Sequence, residues 1–386
     1  MTTILVSGAL ANKPLSGGEA WVRMSWVRGL RRLGFDVCFV EQIASAACVD
    51  EAGRPAPFAR SLNRRYFEAV VAQLAPDCDA ALICADGDGS AGLALDDLLE
   101  RARDAELLVN ISGHLTLEPL RSAPRRRAYI DIDPGFTQIW HASGALDAQL
   151  DGHERFFTVG ENIGDARCSI PTGGLDWRPL PPPVTLEDWP MIAASTTDRF
   201  TTIATWRSPL GTLSHGGMMY PGKHHEWRRI IELPRRSPHS FEIALDIHPG
   251  DAADRAALER NGWRLDDPRA VAADPIAFRS YVQGSGAELS VAHGVYVETA
   301  SGWISDRTVR YLASGRPALV QDTGIGTRHP VGEGLLTFRD LDGAVAAADA
   351  IVCDHAAHAA AARALAEERF DSDRVLARFL DEVGVG

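Results

Sequence analysis

Residues 287–324 constrain the fold most strongly, because they predict a strand, a loop, a helix and a second strand in close succession. Residues 289–292 form an apolar run that is typical of a buried strand. Ser305 is placed to cap a helix of about ten residues, which Gly315 should end. Residues 318–321 then predict another buried strand. Two strands joined by a helical crossover are expected to be parallel.

Parallel sheets bind ligands at the carboxyl ends of their strands, where the two loops of this segment should meet. These loops are residues 301–305 and 322–324. A helix amino terminus offers unpaired N–H groups and a positive dipole end, so Gly302, Ser305 and Arg307 form a suitable seat for a phosphate group. The alternative is an ordinary capped helix with a solvated Arg307.

The segment resembles the donor-binding half of GT-B glycosyltransferases, in which a GW-x-S loop opens a helix beneath the nucleotide diphosphate. The matching residues are Gly302, Trp303 and Ser305, followed by the strand and the turn at 322–324. The resemblance implies a nucleotide-diphosphate sugar as co-substrate and no tightly bound cofactor. The donor-binding residues that it implies are Ser301, Gly302, Trp303, Ser305, Asp306, Arg307, Asp322, Thr323 and Gly324.

Two positions bear on the branch of that family. Thr308 stands where the natural-product and plant branch has a Glu that holds the ribose. Glu298 and Asp306 have the spacing of the paired glutamates of the retaining branch, with Asp in place of the second Glu. This match implies that Glu298 lies on the sugar or acceptor side of the cleft.

Composition bounds the class of protein. The chain has 386 residues, 45% of them hydrophobic, which is enough for two domains with substantial cores. No apolar run reaches the ~20 residues that span a bilayer, and the start does not resemble a secretory signal, so we expect a cytoplasmic protein with no membrane span. The net charge of −13 opposes nonspecific binding to nucleic acid.

Cysteine and histidine spacing does not favour a metal site. The six cysteines include no CxxC pair, which fits reduced thiols better than a disulfide framework or a zinc site. His215, His224, His225 and His248 lack helix-face spacing with carboxylate support, so we expect no metal.

The first half of the chain begins with a βαβ pattern whose first loop contains Gly17 and Gly18. A dinucleotide-binding turn needs a short G-x-G-x-x-G between strand and helix, and this loop is longer, so a dehydrogenase is not expected. In GT-B amino-terminal domains, a long glycine-containing loop faces the cleft and approaches the transferred sugar. The resemblance therefore implies this role for both glycines, and simple loop flexibility is the alternative.

Two later strands of this half end in loops that carry candidate catalytic groups. His114 follows the strand at 107–111, and Asp133 ends the strand at 127–133. An inverting sugar transfer needs a general base, and either a carboxylate or an imidazole can serve. A hydrogen-bonded loop histidine and a turn-forming Asp are the respective alternatives. Asp131 is a weaker candidate because it alternates out of phase with its apolar neighbours.

A proline-rich stretch at 171–190 predicts an extended, semi-rigid linker. We therefore predict an N-terminal Rossmann-like, acceptor-side domain at 1–190 and a C-terminal nucleotide-sugar donor domain at 191–370. By resemblance, the helix at 371–386 crosses back onto the first domain, although packing on its own domain gives the same apolar pattern.

The donor domain opens with a strand at 200–205, and the loop after it contains Arg207 and Lys223. In GT-B proteins this loop commonly sends a basic residue to the donor phosphates. Arg suits bidentate phosphate contact and Lys acts as a point charge. The alternative is that both are surface charges.

These observations predict an α/β protein of the GT-B fold, with two Rossmann-like domains facing across a cleft. The predicted function is transfer of a hexosyl or related sugar from a nucleotide-diphosphate sugar to a small-molecule or other acceptor. A nucleotide-sugar epimerase of the same fold and a noncatalytic nucleotide-sugar-binding protein are the alternatives. The sugar, base, acceptor and stereochemistry depend on pocket details in variable loops.

Overall fold

The computed structural model describes residues 1–87, 89–144, 147–193 and 197–386. Within these ranges the chain forms an α/β structure with one large sheet in each half and a short hairpin in the second. Strands alternate with helices along most of the sequence, as the apolar periodicity predicts.

The first sheet has the strand order β4-β3-β2-β1-β5-β6-β7-β8, and its neighbouring strands are parallel except for β3 and β4. Its strands are β1 (Thr3–Ser7), β2 (Asp36–Ile43), β3 (Asp79–Cys84), β4 (Ser90–Gly92), β5 (Leu107–Ile111), β6 (Arg126–Asp131), β7 (Arg155–Thr158) and β8 (Trp177–Pro179). The helices of this half are α1 (Gly17–Arg32), α2 (Leu62–Leu74), α3 (Leu95–Asp104) and α4 (Phe136–Ser143).

The second sheet is parallel, in the order β13-β12-β9-β14-β15-β16. Its strands are β9 (Arg199–Thr205), β12 (Ser240–Asp246), β13 (Arg264–Asp266), β14 (Ala287–Ser290), β15 (Ala318–Gln321) and β16 (Leu335–Phe338), while β10 (Leu213–His215) and β11 (Met218–Tyr220) form the hairpin. The helices are α5 (Lys223–Arg229), α6 (Leu233–Arg236), α7 (Ala252–Arg260), α8 (Pro268–Ala272), α9 (Pro275–Gln283), α10 (Gly294–Glu298), α11 (Asp306–Ala313), α12 (Leu341–Cys353), α13 (His355–Arg369) and α14 (Ser372–Val383).

The first sheet is covered on both faces because side chains alternate along its strands. Ile4 and Val6 belong to the core that contains α1, whereas Leu5 belongs to the core on the α3 side. A separate core packs around the second sheet. This arrangement leaves the carboxyl ends of the strands open to contact the other half.

Helix α1 of the first half packs directly on α9 of the second. The indole Nε1 of Trp21 donates a hydrogen bond to the Pro275 carbonyl at 2.8 Å. Trp21 is also in edge contact with Trp189, whose ring in turn contacts Phe278 of α9. All three rings are buried, so the two halves share an apolar contact beside their carboxyl edges.

The last helix, α14, lies on the first half of the chain. The ring of Phe379 packs at 5.1 Å from that of Trp26 in α1 and at 4.9 Å from that of Phe157 in β7. Leu376 lies against Gly29, where an added Cβ would approach its side chain to 2.5 Å. The apolar face of α14 is therefore buried against α1 and β7.

The proline-rich stretch is extended but well packed. Residues Trp177–Pro179 pair with β7 as β8, and Val184 and Trp189 are fully buried. Val184 also pairs with the segment before α14: its N–H donates to the Phe370 carbonyl at 2.8 Å, and its carbonyl accepts from the Ser372 N–H at 2.9 Å. The two segments that join the halves thus run side by side.

Candidate functional site

A cleft of about 890 Å³ is lined by both halves of the chain. The first half contributes the loop at 14–16, the first turn of α1 and the loop at 49–53. The second half contributes the carboxyl ends of β9, β12 and β13, together with the first residues of α5 and α11. The cleft therefore lies at the edge where parallel α/β sheets bind ligands.

Helix α11 begins at this cleft, and its start is capped as the sequence predicts. Ser305 has an extended backbone, and its Oγ accepts a hydrogen bond from the Arg307 N–H at 3.2 Å. Ser305, Asp306 and Arg307 all line the cleft. A helix amino terminus with its positive dipole end thus opens into it, which is a favourable environment for an anionic group.

The side chain of Arg307 lies in the wall of the cleft and is held there by the protein. Its Nε donates to Glu288 Oε1 at 2.7 Å, one terminal nitrogen donates to the Ile203 carbonyl at 2.7 Å, and the other donates to Ser290 Oγ at 3.1 Å. The side chain is 12% exposed, and that of Glu288 is fully buried. Arg307 is therefore neither solvated nor fully available to a ligand.

Lys223 is the first residue of α5 and lines the same cleft. Burial and the nearby charge of Arg307 lower the pKa of Lys223 to about 7, although Glu288 acts in the opposite direction. No ion pair joins Lys223 to any described carboxylate. An anion in the cleft would stabilise the charged form of this lysine.

Arg207 lies outside the set of residues that line the cleft. Its guanidinium forms a bidentate ion pair with Asp251, with distances of 2.6–3.0 Å, and contacts His224 Nε2 at 3.3 Å. The side chain is 53% exposed. The structure thus separates Arg207 from Lys223, although the sequence predicts one phosphate-binding loop for both.

The loops at 301–303 and 322–324 contact the first half of the chain instead of lining the cleft. The N–H of Asn162 donates to the Ser301 carbonyl at 3.0 Å, and its side-chain amide donates to the Ala300 and Gly324 carbonyls at 3.0 and 3.1 Å. Gly302 has φ +74°, and an added Cβ would lie 2.7 Å from the Asn162 side chain. These loops form a polar contact between the halves.

The remaining members of these two loops are engaged locally. Gly302 N–H donates to the Thr323 carbonyl at 2.7 Å, and Thr323 Oγ1 donates to the Trp303 carbonyl at 2.6 Å. Trp303 packs on Tyr296 with ring centroids 4.6 Å apart. Asp322 accepts from the Gly324 N–H and from Arg339 Nε, each at 2.8 Å.

Gly17, Gly18 and Glu298 do not form one group. A Cβ on Gly17 would lie 2.3 Å from the Asp274 carbonyl oxygen, and one on Gly18 would lie 3.0 Å from the ring of Phe278. Both glycines therefore allow α1 to approach the start of α9, and Gly18 also lines the cleft. Glu298 ends α10 and is exposed, away from the cleft lining.

Asp133 and His114 are half-buried in the first half and share charged neighbours. Burial raises the pKa of Asp133 to about 6, with Lys13 and Arg23 opposing the shift and Asp131 reinforcing it. Burial, together with Arg23 and Lys13, lowers the pKa of His114 to about 4. Neither residue lines the cleft itself.

Asp131 fixes the turn that carries Asp133. Its carboxylate accepts hydrogen bonds from Thr137 Oγ1, Gln138 Nε2 and Thr158 Oγ1, each at 2.7 Å, and from the Asp133 N–H at 3.1 Å. It is completely buried. Its role is to orient Asp133 and the following turn, which explains why its alternation differs from that of the apolar positions.

Glu19 and Arg23 are site residues that the sequence reasoning missed. Glu19 lines the cleft from the first turn of α1, and its carboxylate is paired with Lys13 Nζ at 2.8 Å and with Arg23. Burial opposes its ionisation, but the charges of Arg23 and Lys13 lower the pKa of Glu19 to about 2. The available signal was the i, i+4 spacing of Glu19 and Arg23 at a helix start.

Arg23 is fully buried, and its Nε and Nη2 lack a hydrogen-bond partner among the described residues. Glu19 connects this buried arginine to the cleft, and Arg23 is also one of the charges that act on Asp133 and His114. The candidate base and the cleft are therefore linked through the first turns of α1.

The described ranges contain neither a metal-binding cluster nor a membrane-spanning helix. No group of three or more His, Cys, Asp or Glu side chains in them is arranged to hold a metal ion. None of the helices built from those residues has the length and apolar character needed to cross a membrane.

No protein-family model and no curated protein matches the chain. Solved structures do match it over its whole length. An alpha-glucosyltransferase in complex with UDP-glucose and DNA containing an abasic site has a TM-score of 0.61 at 11% identity, covering 99% of each chain. Sucrose-phosphate synthase from Thermosynechococcus elongatus has a TM-score of 0.56 at 10% identity, covering 99% of this chain and 98% of that one.

Anabaena HepE in complex with UDP and glucose matches with a TM-score of 0.54 at 10% identity and full coverage of both chains. Likeness at such low identity establishes the fold and leaves the chemistry to the residues themselves. With its two Rossmann-like sheets and the cleft between them, the chain has the fold of the GT-B glycosyltransferases, as the sequence predicts.

Proposed function

We propose that the protein is a glycosyltransferase that moves a sugar from a nucleoside diphosphate sugar to an acceptor. The observation that carries this proposal is the composition of the cleft, where Lys223 and the capped start of α11 face the first turn of α1. Structures of the same fold that hold UDP or UDP-glucose support the choice of donor class.

In this proposal the donor diphosphate lies between the ammonium of Lys223 and the first N–H groups of α11. A charge-assisted hydrogen bond to a phosphate is worth ~1.5–3 kcal/mol, and a helix amino terminus adds a further favourable contribution. Binding of the diphosphate would also offset the burial and the repulsion by Arg307 that together lower the pKa of Lys223.

The reaction breaks the bond between the anomeric carbon and the diphosphate oxygen, and the nucleoside diphosphate leaves with the bonding electron pair. The acceptor oxygen or nitrogen forms the new bond to that carbon and gives up a proton. We assign the acceptance of this proton to Asp133, which follows the carboxyl end of β6 and shares the charged neighbours Lys13 and Arg23 with Glu19 of the cleft. Burial raises the pKa of Asp133 to about 6, so its carboxyl is mostly ionised at pH 7 and still basic enough to act. Such a base is required when the configuration inverts.

His114 then has a supporting part. With its pKa lowered to about 4, the imidazole is neutral near pH 7 and can exchange hydrogen bonds with an acceptor hydroxyl without adding charge. Glu19 remains ionised and offers carboxylate oxygens to hydroxyl groups in the cleft.

Thermal shift first measures the binding of a panel of UDP-, GDP-, ADP- and dTDP-sugars to the full-length protein. Release of nucleotide is then measured with and without candidate acceptors. Release of nucleotide that depends on an acceptor supports the proposal. Conversion of the donor without an acceptor indicates an epimerase, and binding without turnover indicates a noncatalytic binder. Binding of no nucleotide sugar or nucleotide contradicts the proposal.

A further inference from the structure

The ion pair between Glu288 and Arg307 occupies a wall of the cleft. A guanidinium has five N–H donors, and three of those of Arg307 are used by Glu288 Oε1, the Ile203 carbonyl and Ser290 Oγ. These partners lie on β9 and β14, so Arg307 is fixed from α11 against the ends of two strands. Two N–H donors are left for a ligand.

Lys223 lies next to this pair and, unlike Arg307, forms no ion pair with a described carboxylate. The described charged groups that act on it are Arg307 from α11 and Glu288 from β14, and His224 and His293 lie beside it. Glu288 is paired with Arg307 at 2.7 Å and offsets part of the effect of that arginine on Lys223. The net positive charge that faces the cleft at this wall is therefore carried by Lys223.

We propose that Glu288 is a positioning residue of the diphosphate site, which holds and neutralises Arg307 so that Lys223 supplies the charge that attracts the ligand. This inference rests on the proposed function, because it assigns a role within the same donor site. It also gives different roles to Lys223 and Arg307, which are both assigned to the donor phosphates from the sequence.

The sign of the effect follows from the charges. When Glu288 is replaced by Gln, the amide oxygen can still accept from Arg307 Nε, but the charge of Arg307 is no longer balanced. Lys223 then loses its proton at lower pH, because the opposing influence of Glu288 is gone. When Arg307 is replaced by Gln, the same reasoning predicts that Lys223 loses its proton at higher pH.

The experiment measures the affinity of the full-length protein for inorganic pyrophosphate and for UDP by calorimetry from pH 6.0 to 8.5. For the wild type, Glu288→Gln and Arg307→Gln, the association constant is divided by that of a counterpart that also carries Lys223→Arg. This ratio cancels the ionisation of the ligand, since the arginine stays charged over the whole range. Circular dichroism checks that each variant is folded.

We expect the wild-type ratio to fall by about tenfold across this range, because a lysine with a pKa of about 7 loses its charge within it. The fall should move to lower pH in Glu288→Gln and to higher pH in Arg307→Gln. Coincident profiles for the wild type and a folded Glu288→Gln overturn the role of Glu288. If Glu288→Gln does not fold, an unshifted or oppositely shifted Arg307→Gln profile overturns it.

Two further outcomes separate this inference from the proposed function. Wild-type binding of both probes with a flat ratio rejects Lys223 as the charge-carrying ligand and leaves nucleotide binding intact. Absence of wild-type binding to pyrophosphate and UDP at every pH rejects the inference and removes support for a diphosphate site.

Discussion

Replacing Gly17 by Ala tests the contact between α1 and α9 that joins the two halves beside the cleft. The new Cβ would lie 2.3 Å from the Asp274 carbonyl oxygen, 2.6 Å from its carbonyl carbon and 3.0 Å from the Ala272 carbonyl oxygen. All three are backbone atoms, so no rotation of a side chain relieves the overlap. The start of α9 has to move by ~1 Å to restore a normal separation.

Two effects of this substitution have opposite signs. Alanine is favoured over glycine by up to ~1 kcal/mol in a helix interior, and less at the first residue of a helix, where Gly17 lies. Overpacking of a close contact costs ~1–3 kcal/mol. We expect the second effect to dominate, so Gly17→Ala should lower the thermal midpoint. It should also weaken UDP binding, since Ala272 and Phe278 line the cleft.

Thermal unfolding and calorimetric titration with UDP measure these two effects. Gly343→Ala is the matched control, because Gly343 lies in α12 and its nearest neighbours to an added Cβ are Asp340 Oδ1 at 3.2 Å and Phe338 at 3.9 Å. The control should leave the midpoint unchanged or raise it. If Gly17→Ala melts at or above the wild-type temperature and binds UDP equally well, the close approach of α1 to α9 is refuted.

Three other substitutions test the site and the fold. Lys223→Ala should weaken UDP binding by ~10- to 100-fold through loss of a charged contact, whereas Arg236→Ala, which removes an exposed arginine paired with Asp342, should leave the calorimetric affinity unchanged. Asp133→Asn should lower turnover by ~10²–10⁴-fold and leave UDP affinity intact. In the wild type, turnover should fall as pH decreases through about 6, because protonation removes the base, and a flat profile would contradict the assignment. Phe379→Ala should cost ~3–5 kcal/mol in urea unfolding through its lost ring contacts, and an effect no larger than that of the exposed Arg378→Ala would show that α14 is not docked on α1.

The order of elements was accessible from sequence because it depends on local patterns. The cap at Ser305, the helix at Asp306–Ala313 and the strand at Ala318–Gln321 follow from capping preference and apolar runs, and all three are confirmed. The preceding strand is Ala287–Ser290, two residues earlier than predicted. The next residues lead into α10, a short helix that the apolar run concealed.

The distribution of the site residues was less accessible, because it depends on contacts between distant parts of the chain. Parallel strands predict which loops share an edge, but not which of those loops contacts the other half. Asn162 forms hydrogen bonds with the loop backbone beside residues 301–303 and 322–324, and Arg207 forms an ion pair with Asp251. Neither partner has a spacing that marks it in the sequence.

Buried charges were missed for a related reason. Glu288 lies within the buried strand β14 but just before the strand predicted at 289–292, so no role is predicted for it from the sequence, although its partner Arg307 is singled out. A buried carboxylate requires a partner, so an acidic residue inside a predicted core strand indicates a cation nearby. Applied to Glu288, that rule links β14 to a basic residue on a neighbouring element, and Arg307 at the start of α11 is such a residue.

The segment around Val184 and the segment at 370–372 run side by side between the halves, and this pairing limits how the protein can be divided. Because α14 covers α1, a fragment that ends at residue 190 would expose the ring of Trp26 and the groove beside Gly29 to water. Because Val184 pairs with the chain on both sides of Asp371, cleavage near residue 190 would leave the fragments joined by hydrogen bonds and by the buried face of α14. We therefore expect the halves to be poor separate expression units but good partners for complementation, in which two co-expressed fragments reassemble into one molecule.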